Sequence, residues 1–435
     1  MKRLMLGSIL SAGLKIISAG LTFLMFMFLA RVLGAVEYGL FASMFALGTI
    51  GAITALFGQH TLSIKTLSAL GDGPEAAADR RYVMRQSYRV ALAGVAVVIA
   101  LLLAGGMVAG LAGVEVDMRY ILGACALVLP FALAELVSHQ YRAFGAILWA
   151  LAPRDVIWRG LIVLACLAAV SLPFLFTDAL RAMMAISATL MAVVAVQLLS
   201  MIIAHREKFS APKGGETTVS MPFRVSAWMW LASLGTMGAS LNLSAAALFL
   251  PPDQIGAYFA AQKTSQLLQL PIIAINIAAT PVFARLHSKN DFEGLRNVGR
   301  KLAMLIAVPL AIGAGIIIFF APQLLSLFDP AFASAALALT LLAGSYLLIG
   351  LGGPTRQLML MSNGEQQVVR LTLISEVAGL ALIPILVPLF GILGAAIAAC
   401  VARVLFTVMT VSWCRRRLGV DTSILSLLPG FRIKG

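Results

Sequence analysis

Between Tyr258 and Asn276 the chain reads YFAAQKTSQLLQLPIIAIN, a run of polar groups inside a long apolar stretch. On a helical wheel Tyr258, Gln262, Ser265, Gln266, Gln269 and Asn276 share an arc of roughly 100°, with Lys263 about 60° beyond its edge. Amides and hydroxyls on one face suit hydrogen bonding to a polar ligand, and an ammonium suits an anion. Lipid satisfies neither, so this face must meet protein or water. Pro271 removes one backbone donor and frees the carbonyl of Leu267, which predicts a hinge there. Lys15 and Arg403 are further cations set among apolar residues, and Glu135 and Glu376 are the carboxylates well inside such runs. A lysine at bilayer depth costs about 2.5–3.5 kcal/mol on insertion scales, so it calls for an acidic partner, water or an anionic substrate. Glu135 and Glu376 are the candidates for coupling, as counter-ions or proton carriers. His139 lies one turn beyond Glu135 on the same helix face, near the cytoplasmic surface, where the pair reads as solvated.

The elements that carry these groups are membrane spans. The 435 residues are 61% hydrophobic and 11% charged, and the mean hydropathy is +0.98. Apolar runs of about 20 residues, the length of a spanning helix, recur from end to end. Twelve are expected, at roughly 8–32, 37–62, 88–112, 119–142, 156–176, 179–204, 222–249, 255–283, 302–321, 331–354, 371–389 and 391–414. The segment AFGAILWALAPRDVIWRG between the fourth and fifth is expected in the interface. With the N-terminus inside, 26 of the 32 Lys and Arg fall in cytoplasmic segments and three in outside loops, so both termini are expected in the cytoplasm. The net charge of +14 is then mostly orientation signal and attraction to anionic lipid, not a nucleic-acid surface. The first apolar run continues past the length of a signal sequence and is read as the first span.

The fold class expected is an all-α polytopic membrane protein of about 12 helices in two six-helix lobes around a central cavity. The polar segment HREKFSAPKGGETTVSMPFR divides it: an N-lobe at 1–206, a linker at 207–221 and a C-lobe at 222–435 with a short tail. The Ser/Thr stripes of spans 1 and 7 repeat at a shift of 218, as in a parallel duplication. Cys125, Cys166, Cys400 and Cys414 lack metal or redox spacing. Neither a phosphate loop nor a catalytic triad stands out. The chain is therefore expected to be no enzyme, with no cofactor and no metal.

The stretch FLARVLGAVEYGLFASMFAL (28–47) resembles the N-terminal signature of the polysaccharide-transporter family, the oligosaccharidyl-lipid flippases of the MOP exporter superfamily, through Arg31, Leu33, Gly34, Glu37, Tyr38, Gly39 and Phe41. PLFGILGAAIAAC (388–400) resembles the turn between its spans 11 and 12, and LMSNGEQQVVR (360–370) the turn after its span 10. The resemblance implies two lobes that open alternately to each side, with helices 1, 2, 7 and 8 bordering the cavity. It implies a polyprenyl-diphosphate-linked oligosaccharide as cargo in the bacterial inner membrane, for cell-surface polysaccharide such as the O-antigen of lipopolysaccharide. Membrane lipids and glycan polymerase or ligase machinery are the implied partners. By position Lys15 and Lys263 would hold the diphosphate. Gln262, Gln266, Gln269 and Asn276 would serve sugar hydroxyls, and Arg403 is a further candidate contact. A cation-coupled drug exporter of the same superfamily is the alternative. A membrane-embedded glycan-assembly enzyme or scaffold is another.

Overall fold

The computed structural model describes residues 2–70, 73, 76–111, 117–169, 176–204, 219–289 and 291–423, with only the backbone path for 2–12, 204, 278 and 281. Every regular element among them is helical. In order these are α1 (Lys2–Leu56), α2 (Gln59–Ala69), α3 (Ala77–Leu111), α4 (Met118–Ala143), α5 (Ile147–Ala152), a π-helical turn (Pro153–Trp158), α6 (Arg159–Ala169) and α7 (Ala179–Ala204). There follow α8 (Phe223–Gly235), α9 (Gly238–Ala246), α10 (Pro252–Gln266), α11 (Gln269–Ser288), α12 (Phe292–Phe319) and α13 (Ala321–Ser326). A 3₁₀ turn (Pro330–Ala335), α14 (Ala336–Gly352), α15 (Thr355–Met361), α16 (Glu365–Phe390) and α17 (Ile392–Leu418) complete the order.

Eight helices are individually long and apolar enough to cross a membrane, and a ninth is bent by 42° between Pro252–Ile277 and Val282–Ser288. The difference from twelve has local causes. The first two expected spans run on as α1 across a kink at Gly34, whose φ of 74° and ψ of 171° leave the helical region. Such a positive φ suits glycine, which has no Cβ to clash. The fifth expected span opens inside the π-turn, so that its described helix, α6, is short, and the seventh is split by the break between α8 and α9. The outward faces are apolar, with Leu101, Val196, Ile203, Leu305 and Leu389 all more than half exposed. No water-soluble surface is built that way, whereas in a bilayer those side chains meet lipid. The protein is a multi-pass membrane protein.

The segment around residues 143–160, read as interfacial, is largely helical and leads into α6. Arg154 and Arg159, counted among the orientation charges, have side chains only 12% and 18% exposed.

By internal contacts the chain divides into Met1–Ser240 and Leu241–Gly435, with the boundary inside α9. Of the expected linker, residues 207–218 lie outside the described ones. In the first unit, α8 packs against the corner between α1 and α2. The ring of Phe57 lies 5.0 Å from that of Phe223 and 5.6 Å from that of Trp230, and Gln59 Nε2 donates to Ser226 Oγ at 2.9 Å. Beyond the Gly34 kink, Glu37 Oε2 accepts the backbone N–H of Ala179, the first residue of α7, at 2.7 Å. A carboxylate there satisfies an orphan donor and complements the helix dipole. Tyr38 is fully buried, its ring 6.2 Å from that of Phe41.

In the second unit α16 turns into α17 at Gly391, with φ of 57°. A Cβ on Gly394 would land on the Leu386 carbonyl and stand 2.8 Å from the Val387 nitrogen. Backbone cannot yield as a side-chain tip can. We expect Gly394→Ala to destabilise the protein by about 1–3 kcal/mol, read as a lower melting temperature in detergent. Gly105→Ala, where nothing lies within 4 Å of the added carbon, should leave that temperature unchanged or raise it.

Candidate functional site

The charged interior of the first unit grows from Pro153. Proline has no N–H to offer the carbonyl of Trp149 four residues earlier. Gln197 of α7 supplies the donor instead, its Nε2 lying 2.5 Å from Trp149 O. Ser138 Oγ of α4 donates to the next carbonyl, Ala150 O, at 2.7 Å. The backbone widens into the π-turn Pro153–Trp158, a rare conformation that concentrates at functional sites. Trp158 pins it to α7 by donating its indole N–H to Ile186 O at 3.1 Å.

This turn carries Arg154 and Asp155, and Arg159 follows at the start of α6. The Asp155 side chain is 2% exposed. Its Oδ2 lies 2.7 Å from Lys15 Nζ, and its Oδ1 lies 3.3 Å from Arg154 Nε and 3.5 Å from Arg159 Nη1. Arg159 also donates to Ser18 Oγ, one turn beyond Lys15 on α1. Arg154 pairs with Glu135 of α4 as well. Glu135 in turn has His139 Nδ1 3.5 Å from its Oε2. The rings of His139 and His60 meet edge to face at 5.0 Å, and His60 Nε2 lies 3.1 Å from Ser233 Oγ. Three cations, Lys15, Arg154 and Arg159, thus surround two carboxylates, Asp155 and Glu135. Lys15 is the most accessible member, with its side chain 36% exposed.

The structure therefore brings Lys15 and Glu135 into one network, through residues that had drawn no attention as site candidates. Lys15 has the acidic partner that its burial called for, and Glu135 is held by Arg154. Glu135 and His139 are 15% and 17% exposed, so the pair expected to be solvated is largely buried. The sign of this network was the string PRD, a proline beside opposite charges inside an apolar run.

The second unit uses neutral dipoles more than charge. Tyr258 and Gln262 of α10 are buried, at 0% and 1% exposure. The Tyr258 hydroxyl donates to Asn242 Oδ1 at 2.6 Å and approaches Ala395 O at 3.2 Å. Gln262 is hydrogen-bonded to Tyr258 and is closed off in this conformation. Lys263 Nζ lies 4.9 Å above the Phe259 ring one turn earlier, as in a cation–π contact. The helix breaks at Leu267–Leu268, between α10 and α11. That is where Pro271 releases the carbonyl four residues back.

Beyond the break, Gln269 Nε2 donates to the Tyr346 hydroxyl at 2.6 Å. The guanidinium of Arg403 lies 4.6 Å over the Tyr346 ring, and its Nη1 donates to Ser345 Oγ at 2.9 Å. Tyr346 thus joins two candidate residues, Gln269 and Arg403, that are far apart in the chain. Glu376 of α16 is half-buried and makes no ion pair among the described residues, and Arg403 is the charge that bears on it. Gln266 is half-buried. Asn276 Oδ1 is buried with no hydrogen-bond partner among the described residues, although its neighbour Thr280 donates to the Asn276 carbonyl at 2.7 Å. A buried acceptor left without a donor costs about 1–3 kcal/mol, which a ligand hydroxyl could recover.

Comparison with solved structures decides the fold. A structure described as the inward-facing conformation of a multidrug resistance MATE family transporter of the MOP superfamily superposes with a TM-score of 0.72 at 18% identity. It covers 92% of this chain and 94% of that one. The fold is that of the MATE transporters. A second structure, from Pyrococcus furiosus, matches with a TM-score of 0.61 at 16% identity over 96% of each chain. It is described under the words "Reverse polarity of binding pocket suggests different function of a MOP superfamily transporter". The MatE family model matches residues 230–387 of the present chain. The "Probable low-salt glycan biosynthesis flippase Agl15" of Haloferax volcanii is 27% identical over 192 residues, which span 43% of this chain and 40% of that protein.

Removing one partner of a buried ion pair strands the other charge, at a cost of about 3–5 kcal/mol. Glu135→Ala leaves three cations, Lys15, Arg154 and Arg159, around Asp155 alone, and should therefore lower the melting temperature in detergent more than Glu135→Leu combined with Arg154→Met, which removes one of those cations as well. Equal losses in both would show that the Glu135–Arg154 pairing is not what holds α4 to the π-turn.

Proposed function

We propose that the chain is a transporter that moves a polyprenyl-diphosphate-linked oligosaccharide outward across the plasma membrane, by alternating access between its two halves. The observation that carries this reading is the surplus of positive charge in the buried network of the first unit, with three cations against two carboxylates and Lys15 on the accessible side. A diphosphate matches that surplus. A cationic drug does not, because both carboxylates there are already held by arginines. The name of the Haloferax relative points the same way, and the Pyrococcus structure is described by a pocket of reversed polarity within the same fold.

In this reading Lys15 and Lys263 hold the diphosphate, as point charges that release more readily than a bidentate arginine. Gln266, Gln269 and the unsatisfied Asn276 Oδ1 serve sugar hydroxyls, and Gln262 becomes available only if α10 repacks. The prenyl chain stays in lipid. Pro271 and the interruption before it are the candidate hinge, while the 42° bend lies further on, between Ile277 and Val282, and Glu376 beside Arg403 is the candidate coupling carboxylate. With both termini in the cytoplasm, an inside-negative potential favours outward movement of an anion by about 2.3 kcal/mol per charge per 100 mV. The neighbours with multidrug names keep drug export as the competing outcome.

A deletion strain carrying either the wild type or Lys15→Ala, Lys263→Ala tests this. The expected result is loss of surface glycan and accumulation of the lipid-linked precursor in the deletion and in the membrane-inserted double variant. The same change in the deletion alone would keep the function and move the site. Unaltered glycan together with raised drug sensitivity would replace this reading with drug export.

A further inference from the structure

Asp155 has no role in the reading above, yet it is a heavily partnered carboxylate. Three cations contact it: Lys15 at 2.7 Å, Arg154 at 3.3 Å and Arg159 at 3.5 Å. The partners differ in access. The side chains of Arg154 and Arg159 are 12% and 18% exposed, whereas that of Lys15 is 36% exposed. The carboxylate itself lies behind them at 2%.

A carboxylate with three cationic partners can release one and remain paired. The Lys15 side chain is flexible and its ammonium has no fixed fork, so it can turn from one anion to another. Arg154 and Arg159 have other tethers, Glu135 for the first and Ser18 with the Asp155 carbonyl for the second. Lys15 is the movable member. The widened turn at Pro153–Trp158 places Asp155 opposite it, 140 positions away in the chain.

We propose that Asp155 is an internal stand-in for the anionic phosphate group of the transported ligand: it holds Lys15 when the site is empty, yields it to the ligand's phosphate, and recaptures it on release. The inference rests on the reading of a phosphate-bearing cargo and adds to it a residue that sets affinity against turnover. Asp155 acts through Lys15 and is a positioning residue. Without the carboxylate, Lys15 stays committed to the phosphate. Binding tightens and release slows, so KM and kcat fall together.

The test uses the full-length protein in phosphatidylcholine nanodiscs with a short-chain prenyl diphosphate as probe, and proteoliposomes loaded with the same probe for turnover. Asp155→Asn should bind the probe about tenfold more tightly, the effect of about 1.4 kcal/mol, with a lower KM and a lower kcat. Asp155→Glu should behave like the wild type. Lys15→Gln should weaken binding and abolish the gain when combined with Asp155→Asn. A folded Asp155→Asn that binds no more tightly, or a gain that survives Lys15→Gln, overturns the inference. If Asp155→Asn does not fold, Lys15→Gln decides, and undiminished probe binding in that variant overturns it too.

Repeating the titration in nanodiscs containing phosphatidylglycerol separates the sources of the phosphate. Competition by that lipid, relieved in Lys15→Gln, supports the stand-in while assigning it to a headgroup and removing the glycan cargo. Tightening for the prenyl diphosphate without such competition supports both.

Discussion

Hydrocarbon offers no hydrogen bonds, so each interrupted carbonyl and each buried charge in this protein must find its partner inside the chain. The consequences are clearest at Pro153. Its missing N–H leaves the Trp149 carbonyl open, Gln197 reaches across from α7 to fill it, and Ser138 does the same for Ala150. With those groups satisfied from neighbouring helices, the widened turn is tolerated within the bundle. The turn in turn sets Arg154 and Asp155 where α1, α4 and α6 can each contribute a charge. One proline thereby shapes the network around Asp155.

The second unit answers the same constraint with dipoles. Tyr258, Asn242 and the Ala395 carbonyl close one set of polar groups among α9, α10 and α17. Gln269, Tyr346, Arg403 and Ser345 close another among α11, α14 and α17. Arg403 is spread over a ring face and a hydroxyl and is not locked to a carboxylate. The two units thus present different chemistry, ionic in one and largely hydrogen-bonding in the other.

The motifs that carried the family resemblance serve the architecture. Gly34 supplies the kink in α1, Glu37 caps α7, Tyr38 fills the core, and Gly394 lets α17 pass against the Leu386 carbonyl. Signatures of this kind report how helices are joined.

Hydropathy alone determined that the chain is helical and made for a bilayer, because a spanning helix must be apolar over its own length. Local sterics determined the kink at Gly34 and the break ahead of Pro271, since each depends on a backbone clash or a missing donor within a few residues. Counting charges could not tell that Arg154 and Arg159 are buried in a network, because a buried arginine and a loop arginine look alike in one dimension. Only the tertiary structure paired Lys15 with Asp155 across 140 positions and joined Gln269 to Arg403 through Tyr346. An ion pair or a hydrogen bond depends on a separation of a few ångströms, and helix packing sets that separation between residues that the sequence leaves far apart.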